Sequence, residues 1–396
     1  MRYTEKVKDK VLEKLIKSEE KRQKGVINLI ASENYASKDV LSALGSVLTN
    51  KYAEGYPEKR YYGGNQIVDK IENLARARSL KLFGLSQEKW DSNVQPYSGT
   101  PANAEIYSAL VPAGEKIMGL RLDMGGHLSH GHKVSFTGKF WQQISYGVSQ
   151  KTEMLNYEEI AEIAKKERPK LIVAGFTAYS RIIDFKKFRK IADDAGAILL
   201  IDMSHFSGLV AGGVYPSPFP YADIVMTTTH KTLRGPRGAI IFSKKEFSTA
   251  IDKAVFPGFQ GGPHENNIAA IAVALKEAMS PAFKKYARQI VKNAKVLAAE
   301  LQNKGWRIIS GGTDTHLFLM DTWSRGISGK AAQDLLEAKG IVVNKNTIPF
   351  DIRSPFDPSG IRIGTPAVTT QGMKAKDMKA VAKKINEILS GGRKFN

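Results

Sequence analysis

Two side chains at the ends of apolar runs carry the strongest chemical suggestion in this sequence. Asp202 closes "AILLID" (197–202), and Lys231 follows "DIVMTTTH" (223–230) and precedes the glycine-rich "TLRGPRGA". A lysine amine can form a Schiff base with a carbonyl, and a carboxylate can keep a pyridinium nitrogen protonated. Together these are the two protein groups that pyridoxal phosphate requires. The same two residues could instead form a plain ion pair, and spacing alone leaves both readings open. Glycines after Lys231 favour a ligand, because they let backbone approach it closely. The coenzyme's phosphate would need backbone amides at a helix N-terminus. "QPYSGTPANAEIYSAL" (95–110) offers them: Ser98, Gly99 and Thr100 supply hydroxyls and amides, and Pro101 suits a first-turn position whose N–H is not needed. That stretch also reads as an ordinary capped helix start.

The elements that must position these residues alternate between short apolar strands and longer helical patterns, which predicts a mainly parallel α/β sheet. "KLIVAG" (170–175), "AILLID", "DIVMTT" (223–228) and "GAIIFS" (238–243) are the clearest strands. "DFKKFRKIADDAG" reads as a helix ended by Gly196, completing a strand–helix–strand unit. In such sheets ligands gather at the carboxyl ends of the strands, where Asp202 and Lys231 fall. A long helical pattern breaks near Pro281 and is followed by strands "HLFLMD", "GIVVN" and "GIRIGT", with helices at about 328–339 and 374–390. The expected organisation is therefore an N-terminal arm and large α/β domain over 1–280 and a smaller α+β domain over 281–396.

Composition narrows the function classes. The 396 residues contain no cysteine, which excludes disulfides, thiolate metal sites and a cysteine nucleophile and fits a reducing compartment. No metal site is expected. "MRYTEKVKDKVLEKL" has no apolar leader core, no apolar run is long enough to span a membrane, and the chain ends soon after its last helical pattern. A cytoplasmic protein without membrane association or C-terminal extension is expected. The 59 basic and 39 acidic residues give a net charge of +20, which would attract anions or nucleic acid. The lysines, however, are spread along amphipathic helices around Val7, Val11 and Leu15, or Val381, Ile385 and Leu389. With no aromatic-interleaved basic patch or known module, a solvated lysine-rich surface is the reading and nucleic acid is not an expected partner.

Seven stretches, "IASENYAS", "KYAEGYPEKRYYGGNQIVDKIE", "VQPYSGTPAN", "GGHLSHG", "TTTHKTLRGPRG", "VFPGFQGGP" and "SGIRIGTPAV", resemble in order the signatures of the serine hydroxymethyltransferase family. The resemblance runs from about residue 28 to 370. It implies a fold-type I pyridoxal-phosphate enzyme that moves a one-carbon unit between serine and tetrahydrofolate, leaving glycine.

Position by position, the resemblance makes Lys231 the Schiff-base lysine and Asp202 the partner of the pyridine nitrogen. His127 would stack on the cofactor ring, His205 would sit near its phenolic oxygen, and Thr177 would hold a hydroxyl over the ring. Ser98, Gly99 and Thr100 match the phosphate cradle, and Gly261 matches a glycine reaching that phosphate from the partner subunit. Arg362 matches the clamp on the substrate carboxylate, a task suited to a planar fork of donors, with Ser32 assisting. Glu54 matches the acid–base carboxylate near the substrate hydroxyl and the folate. Tyr52, Tyr61 and Tyr62 match tyrosines that line substrate and folate from the partner chain, Tyr62 also counting among the catalytic groups. Thr228 and His230 would shape exchange at Lys231, and Arg237 would support the cofactor. Taken alone, Arg362 reads as a surface ion pair, His127 as a satisfied loop histidine, and the tyrosines as core or interface aromatics.

Leu122, Gly125, Gly126, Leu128, Asn346 and Phe356 fall where the family contacts folate. Phe350 and Ile352 are less polar than a common family version of that loop, which leaves the carrier open between tetrahydrofolate and a modified pterin. The short segment "HKVSFTGKFW" (132–141) is like that of bacterial members, which favours a homodimer with shared active sites over a tetramer. His132 within it has no functional account. The alternative activity is a pyridoxal-phosphate-dependent threonine or β-hydroxy-amino-acid aldolase, which would share Lys231, Asp202 and Arg362 without the folate-lining residues.

Overall fold

Apolar runs with no polar alternation must be covered on both faces, and that is how the predicted strands are used. The computed structural model describes residues 7–391. Residues 1–6 and 392–396, the outer ends of the two expected domains, lie outside the described residues. The main sheet has seven strands: β1 (Trp90–Asn93), β2 (Lys116–Leu120), β3 (Gln142–Tyr146), β4 (Leu171–Ala174), β5 (Ile198–Asp202), β6 (Ile224–Thr228) and β7 (Ala239–Lys244). Their spatial order is β1-β7-β6-β5-β4-β2-β3. Strands β2 to β6 are mutually parallel where they pair, while β7 runs antiparallel to both β6 and β1. The carboxyl ends of β4, β5 and β6 therefore open on one edge.

Two helices have bounds set by local chemistry that bears on this edge. Helix α1 (Gly99–Leu110) begins at Ser98, whose side chain makes no capping hydrogen bond. Helix α2 (Phe185–Ala195) crosses from β4 to β5, is capped by Asp184, and ends at Gly196 in the left-handed conformation at φ 67°. Its Phe185, Phe188, Ile191 and Ala192 are buried, the spacing of one helix face.

Helix α3 (Glu265–Ala278) is separated from α4 (Pro281–Asn303) by the expected break, with Pro281 in the first turn and Ser280 as N-cap. Two apolar cores flank α4. Its Phe283, Tyr286, Ala287 and Ile290 belong to the core of the main sheet, and its Leu297, Ala298 and Leu301 to a second core. That second core lies against an antiparallel sheet ordered β8-β9-β11-β10, made of β8 (Arg307–Ile308), β9 (Leu317–Asp321), β10 (Asn344–Asn346) and β11 (Gly360–Gly364).

Sequence and structure differ in two places. "GIVVN" forms no single strand: Ile341–Val342 pairs in parallel with Ile27–Asn28, and the chain then turns to pair Asn344–Asn346 with β11. The partner changes because Ile341 and Leu29 both fill the second core. The N-terminal amphipathic pattern does form a helix, Lys10–Gly25, started by Asp9, yet Val11 and Leu15 are exposed and none of its residues is buried. Among the described residues, no apolar core takes in Val11, Leu12, Leu15 or Ile16 of its stripe. The C-terminal helix, Ala375–Gly391, buries Val381, Ile385 and Leu389.

Candidate active site

Asp202, at the end of β5, is the fixed point of the cleft. Its Oδ2 accepts from His130 Nε2 at 3.0 Å and from Asn103 Nδ2 at 3.2 Å, while Oδ1 accepts from the Ser204 amide at 3.0 Å. Burial alone would push this carboxyl up. The His130 hydrogen bond, nearby charged groups including Lys231, and the Ser204 side chain outweigh burial and hold it well below the usual carboxylate range. Asp202 is thus an anion at any physiological pH. No ion pair joins Asp202 to Lys231 among the described residues, so the simple ion-pair reading of these two groups is not realised.

Lys231 is buried and lines the same cleft, of about 370 Å³, together with Ser32, Thr177, Thr228, His230 and Arg237. Burial lowers its pKa to about 8; Asp202 opposes that shift, and Arg362 and Arg237 reinforce it. The amine is therefore neutral, and nucleophilic, in a substantial fraction of molecules near pH 8. Arg362, on β11, enters the cleft from the smaller sheet. It donates from Nε to Asn344 Oδ1 at 3.1 Å and from Nη1 to the Thr177 carbonyl at 2.9 Å. It is buried without an acidic partner among the described residues, unlike the surface ion pair that an isolated strand arginine suggests. A buried guanidinium with neutral partners leaves its charge for an anionic ligand.

Burial is the chief cause that holds three cleft histidines, His127, His205 and His230, neutral. His127 falls to about 4 and His230 to about 3, and His205 lies well below its ordinary value. His127 Nδ1 lies 2.7 Å from Ser129 Oγ. His205 Nδ1 sits 3.2 Å from His316 Nε2, a contact that joins the two sheets.

The N-terminus of α1 points at the cleft through Ser98, Gly99 and Thr100. Gly99 is required by packing as well: a Cβ there would stand 2.7 Å from Thr228 Cγ2. This close approach brings the first-turn amides of α1 onto the end of β6, a site suited to a phosphate dianion. An anionic carboxylate, a lysine of lowered pKa, first-turn helix amides and a buried arginine with only neutral partners among the described residues are the donor set that pyridoxal phosphate and an amino-acid carboxylate need, and the residues present fit that group.

A second group of expected residues stands together elsewhere. Tyr52 Oη lies 3.3 Å from Glu54 Oε1, a Cβ on Gly261 would lie 3.2 Å from the same oxygen, and Tyr52 packs edge-on against Tyr62. Tyr61 meets Phe256. None of these residues lines the Lys231 cleft of its own chain, and Tyr52, Tyr61 and Tyr62 are exposed. The expected pterin contacts are also outside it: Leu122 borders a separate shallow depression with Thr347 and Pro355, Leu128 and Phe356 are exposed, Asn346 lies on β10, and Gly125 and Gly126 follow the turn at Leu122–Met124.

Sequence reasoning missed His130, Asn103, Ser204 and His316. His130 and Asn103 had a signal, since each lies three or four residues beyond a motif residue, on the same loop or helix face as His127 or Gly99. His316 had none, because its partner His205 is remote in sequence.

A mostly parallel, doubly covered sheet with this cleft at its carboxyl edge defines a fold-type I pyridoxal-phosphate enzyme. Comparison with known proteins narrows the class. The serine hydroxymethyltransferase family model matches residues 5–385. The serine hydroxymethyltransferase of Acidothermus cellulolyticus is 55% identical over 380 residues, covering 96% of this chain and 88% of that protein. That of Koribacter versatilis is 55% identical over 381 residues, with the same coverage of each. The chain belongs to the serine hydroxymethyltransferase family. Its reaction is transfer of the serine hydroxymethyl group to tetrahydrofolate, with pyridoxal phosphate as cofactor, and the aldolase alternative is not favoured.

Proposed function

We propose that the Lys231 cleft performs this transfer, with Lys231, Asp202, His127, Thr228 and His230 serving the cofactor and Glu54 and Tyr62 serving the substrate hydroxyl. The observation that carries the assignment is the buried Lys231 of lowered pKa in the same cleft as an Asp202 held anionic by His130, Lys231 and Ser204 and hydrogen-bonded at both oxygens. When bound, pyridoxal phosphate supplies an electron sink for the α-carbon of the amino acid. Lys231 Nζ would hold the cofactor's aldehyde carbon, and Asp202 would keep its ring nitrogen protonated. The α1 amides, with Ser98 and Thr100, would bind its phosphate, which Arg237 and Gly261 would also approach. His127 and Thr177 would cover the ring, and His205 would face its phenolic oxygen. Arg362, aided by Ser32, binds the carboxylate of serine and sets the orientation of its Cα bonds. Glu54 takes the proton from the serine hydroxyl and handles protons at the pterin, for which Leu122, Gly125, Gly126, Leu128, Asn346 and Phe356 form the contact surface.

The functional unit in this proposal is a homodimer in which Glu54, Tyr52, Tyr61, Tyr62 and Gly261 serve the cleft of the partner. Their grouping away from their own chain's Lys231 supports it, as do the exposed Val11, Leu12, Leu15 and Ile16 of the helix Lys10–Gly25. Division of the chain near 280, with α4 shared between the two cores, belongs to the same proposal. So does a cytoplasmic location, which the cysteine-free composition fits. No helix among the described residues is long and apolar enough to cross a membrane.

An absorbance spectrum tests the assignment. The purified protein is expected to show a visible cofactor band that is lost in Lys231→Ala, and a longer-wavelength band that appears only when glycine and tetrahydrofolate are both added. A visible band retained in Lys231→Ala would overturn the role of the lysine, and a spectrum indifferent to tetrahydrofolate would overturn the pterin assignment.

A further inference from the structure

The loop carrying Glu54 is built around one buried arginine. We propose that Arg60 is a positioning residue for hydroxymethyl transfer, tying down the backbone on both sides of Glu54 so that its carboxylate is presented in one place. The proposal rests on Glu54 being the acid–base group.

The Arg60 side chain is 3% exposed. Its Nη1 donates to the carbonyl of Ala53 at 2.8 Å and to that of Gly55 at 2.7 Å, the residues immediately before and after Glu54. The carbonyl of Glu54 itself accepts from the Tyr61 amide at 3.0 Å. Three consecutive carbonyls are therefore fixed. Gly55 adopts φ 96°, and a Cβ there would stand 2.3 Å from the Lys59 carbonyl, so the turn is closed against its own return strand. Gln95 Nε2 supplies a second donor to the Gly55 carbonyl at 3.0 Å.

The guanidinium is anchored on its other edges. Nε donates to Asp69 at 2.9 Å and Nη2 to Glu72 at 2.7 Å, and Nη2 lies 3.7 Å from Glu265 at the head of α3. Glu265 follows the Gly261–Gly262 segment, against which Glu54 and Tyr52 rest. One side chain thus joins the two segments that meet at the Glu54 carboxylate. A surface-stabilising arginine has no need of this arrangement: burying a charge is costly, and here Asp69 and Glu72 hold Nε and Nη2 so that Nη1 is spent on the peptide units beside Glu54. A lysine keeps the charge but lacks the planar fork, so it cannot hold both carbonyls and both carboxylates at once.

The test is a kinetic double-mutant cycle on the holoenzyme with Glu54→Gln, Arg60→Lys and the combined variant. Arg60→Lys is expected to lower kcat about 10²-fold, the scale of a misplaced catalytic group, with KM for serine and the visible cofactor band unchanged. In the Glu54→Gln background the same change is expected to cost nothing further, because its effect runs through the missing carboxylate. A wild-type kcat in Arg60→Lys, or losses that multiply in the double variant, would overturn the proposal. A fully active Glu54→Gln would instead overturn the Glu54 assignment, and it is read before any Arg60 variant is made. Should Arg60→Lys not fold, Asp69→Asn loosens the anchor of the guanidinium at Nε and enters the same cycle with the same expected pattern at smaller amplitude.

Discussion

At the scale of single residues, the cleft keeps charge where the chemistry needs it and removes it elsewhere. Asp202 stays anionic, Arg362 stays cationic, and His127, His205, His230 and much of Lys231 are neutral near pH 8. Such an arrangement costs stability. Below pH 8 the cofactor-free protein buries a charged Lys231 at full cost. Between pH 8 and the ordinary lysine value of 10.5 the folded state sheds a proton that the unfolded chain keeps, so stability rises with pH. Lys231→Met is therefore expected to be more stable than the cofactor-free parent below pH 8, by at most roughly 3 kcal/mol. The difference should shrink as pH approaches 10.5. Urea unfolding of both proteins across that range checks it; a gap that widens with pH would contradict the sign of the shift.

At the scale of elements, the proposed phosphate cradle depends on the contact between α1 and β6, which sets where the helix amides stand. Gly99 is the only residue type that fits, since a methyl group would sit 2.7 Å from Thr228 Cγ2. Gly99→Ala is expected to push the head of α1 away from the strand, costing about 1–3 kcal/mol of stability and weakening pyridoxal phosphate binding. Thermal melts and equilibrium dialysis measure the two effects. Cofactor affinity unchanged despite a lower melting temperature would mean that the cradle does not depend on this contact. The elements themselves were legible: "LIVA", "ILLID" and "IVMTT" are apolar without alternation, and Gly196 ends α2 where a left-handed residue is needed. The split of "GIVVN" was not, because the partner of Ile341 lies more than 300 residues upstream.

At the scale of the whole molecule, the chain exposes what the proposed partner would cover. The helix Lys10–Gly25 buries nothing, and Tyr52, Tyr61 and Tyr62 face solvent beside Glu54. If each cleft is completed by the other chain, inactive Lys231→Ala and Glu54→Gln proteins should complement after subunit exchange. A hybrid dimer holds one site with both groups intact, so random pairing in a two-fold dimer restores about a quarter of wild-type activity. Mixing, followed by an activity assay and sedimentation to verify the dimer, tests this. No recovery from a mixture shown to contain hybrids would mean that Lys231 and Glu54 act within one chain.

The sequence by itself determined the central strands Leu171–Ala174, Ile198–Asp202 and Ile224–Thr228 and the helix ends at Gly196 and Pro281, and it singled out Asp202, Lys231 and the Ser98–Thr100 segment as candidates, because periodicity, caps and glycines are local signals. Ordered signatures carried the remaining site residues as a resemblance. Only the tertiary structure decided that His130 and Asn103 converge on Asp202, that Arg362 is buried against Asn344 and the Thr177 carbonyl, that His205 meets His316, and that Arg60 grips the turn at Glu54. Each is a contact between segments far apart in the chain or across a turn, set by how buried polar groups find partners once the two cores close, and no local pattern encodes that outcome.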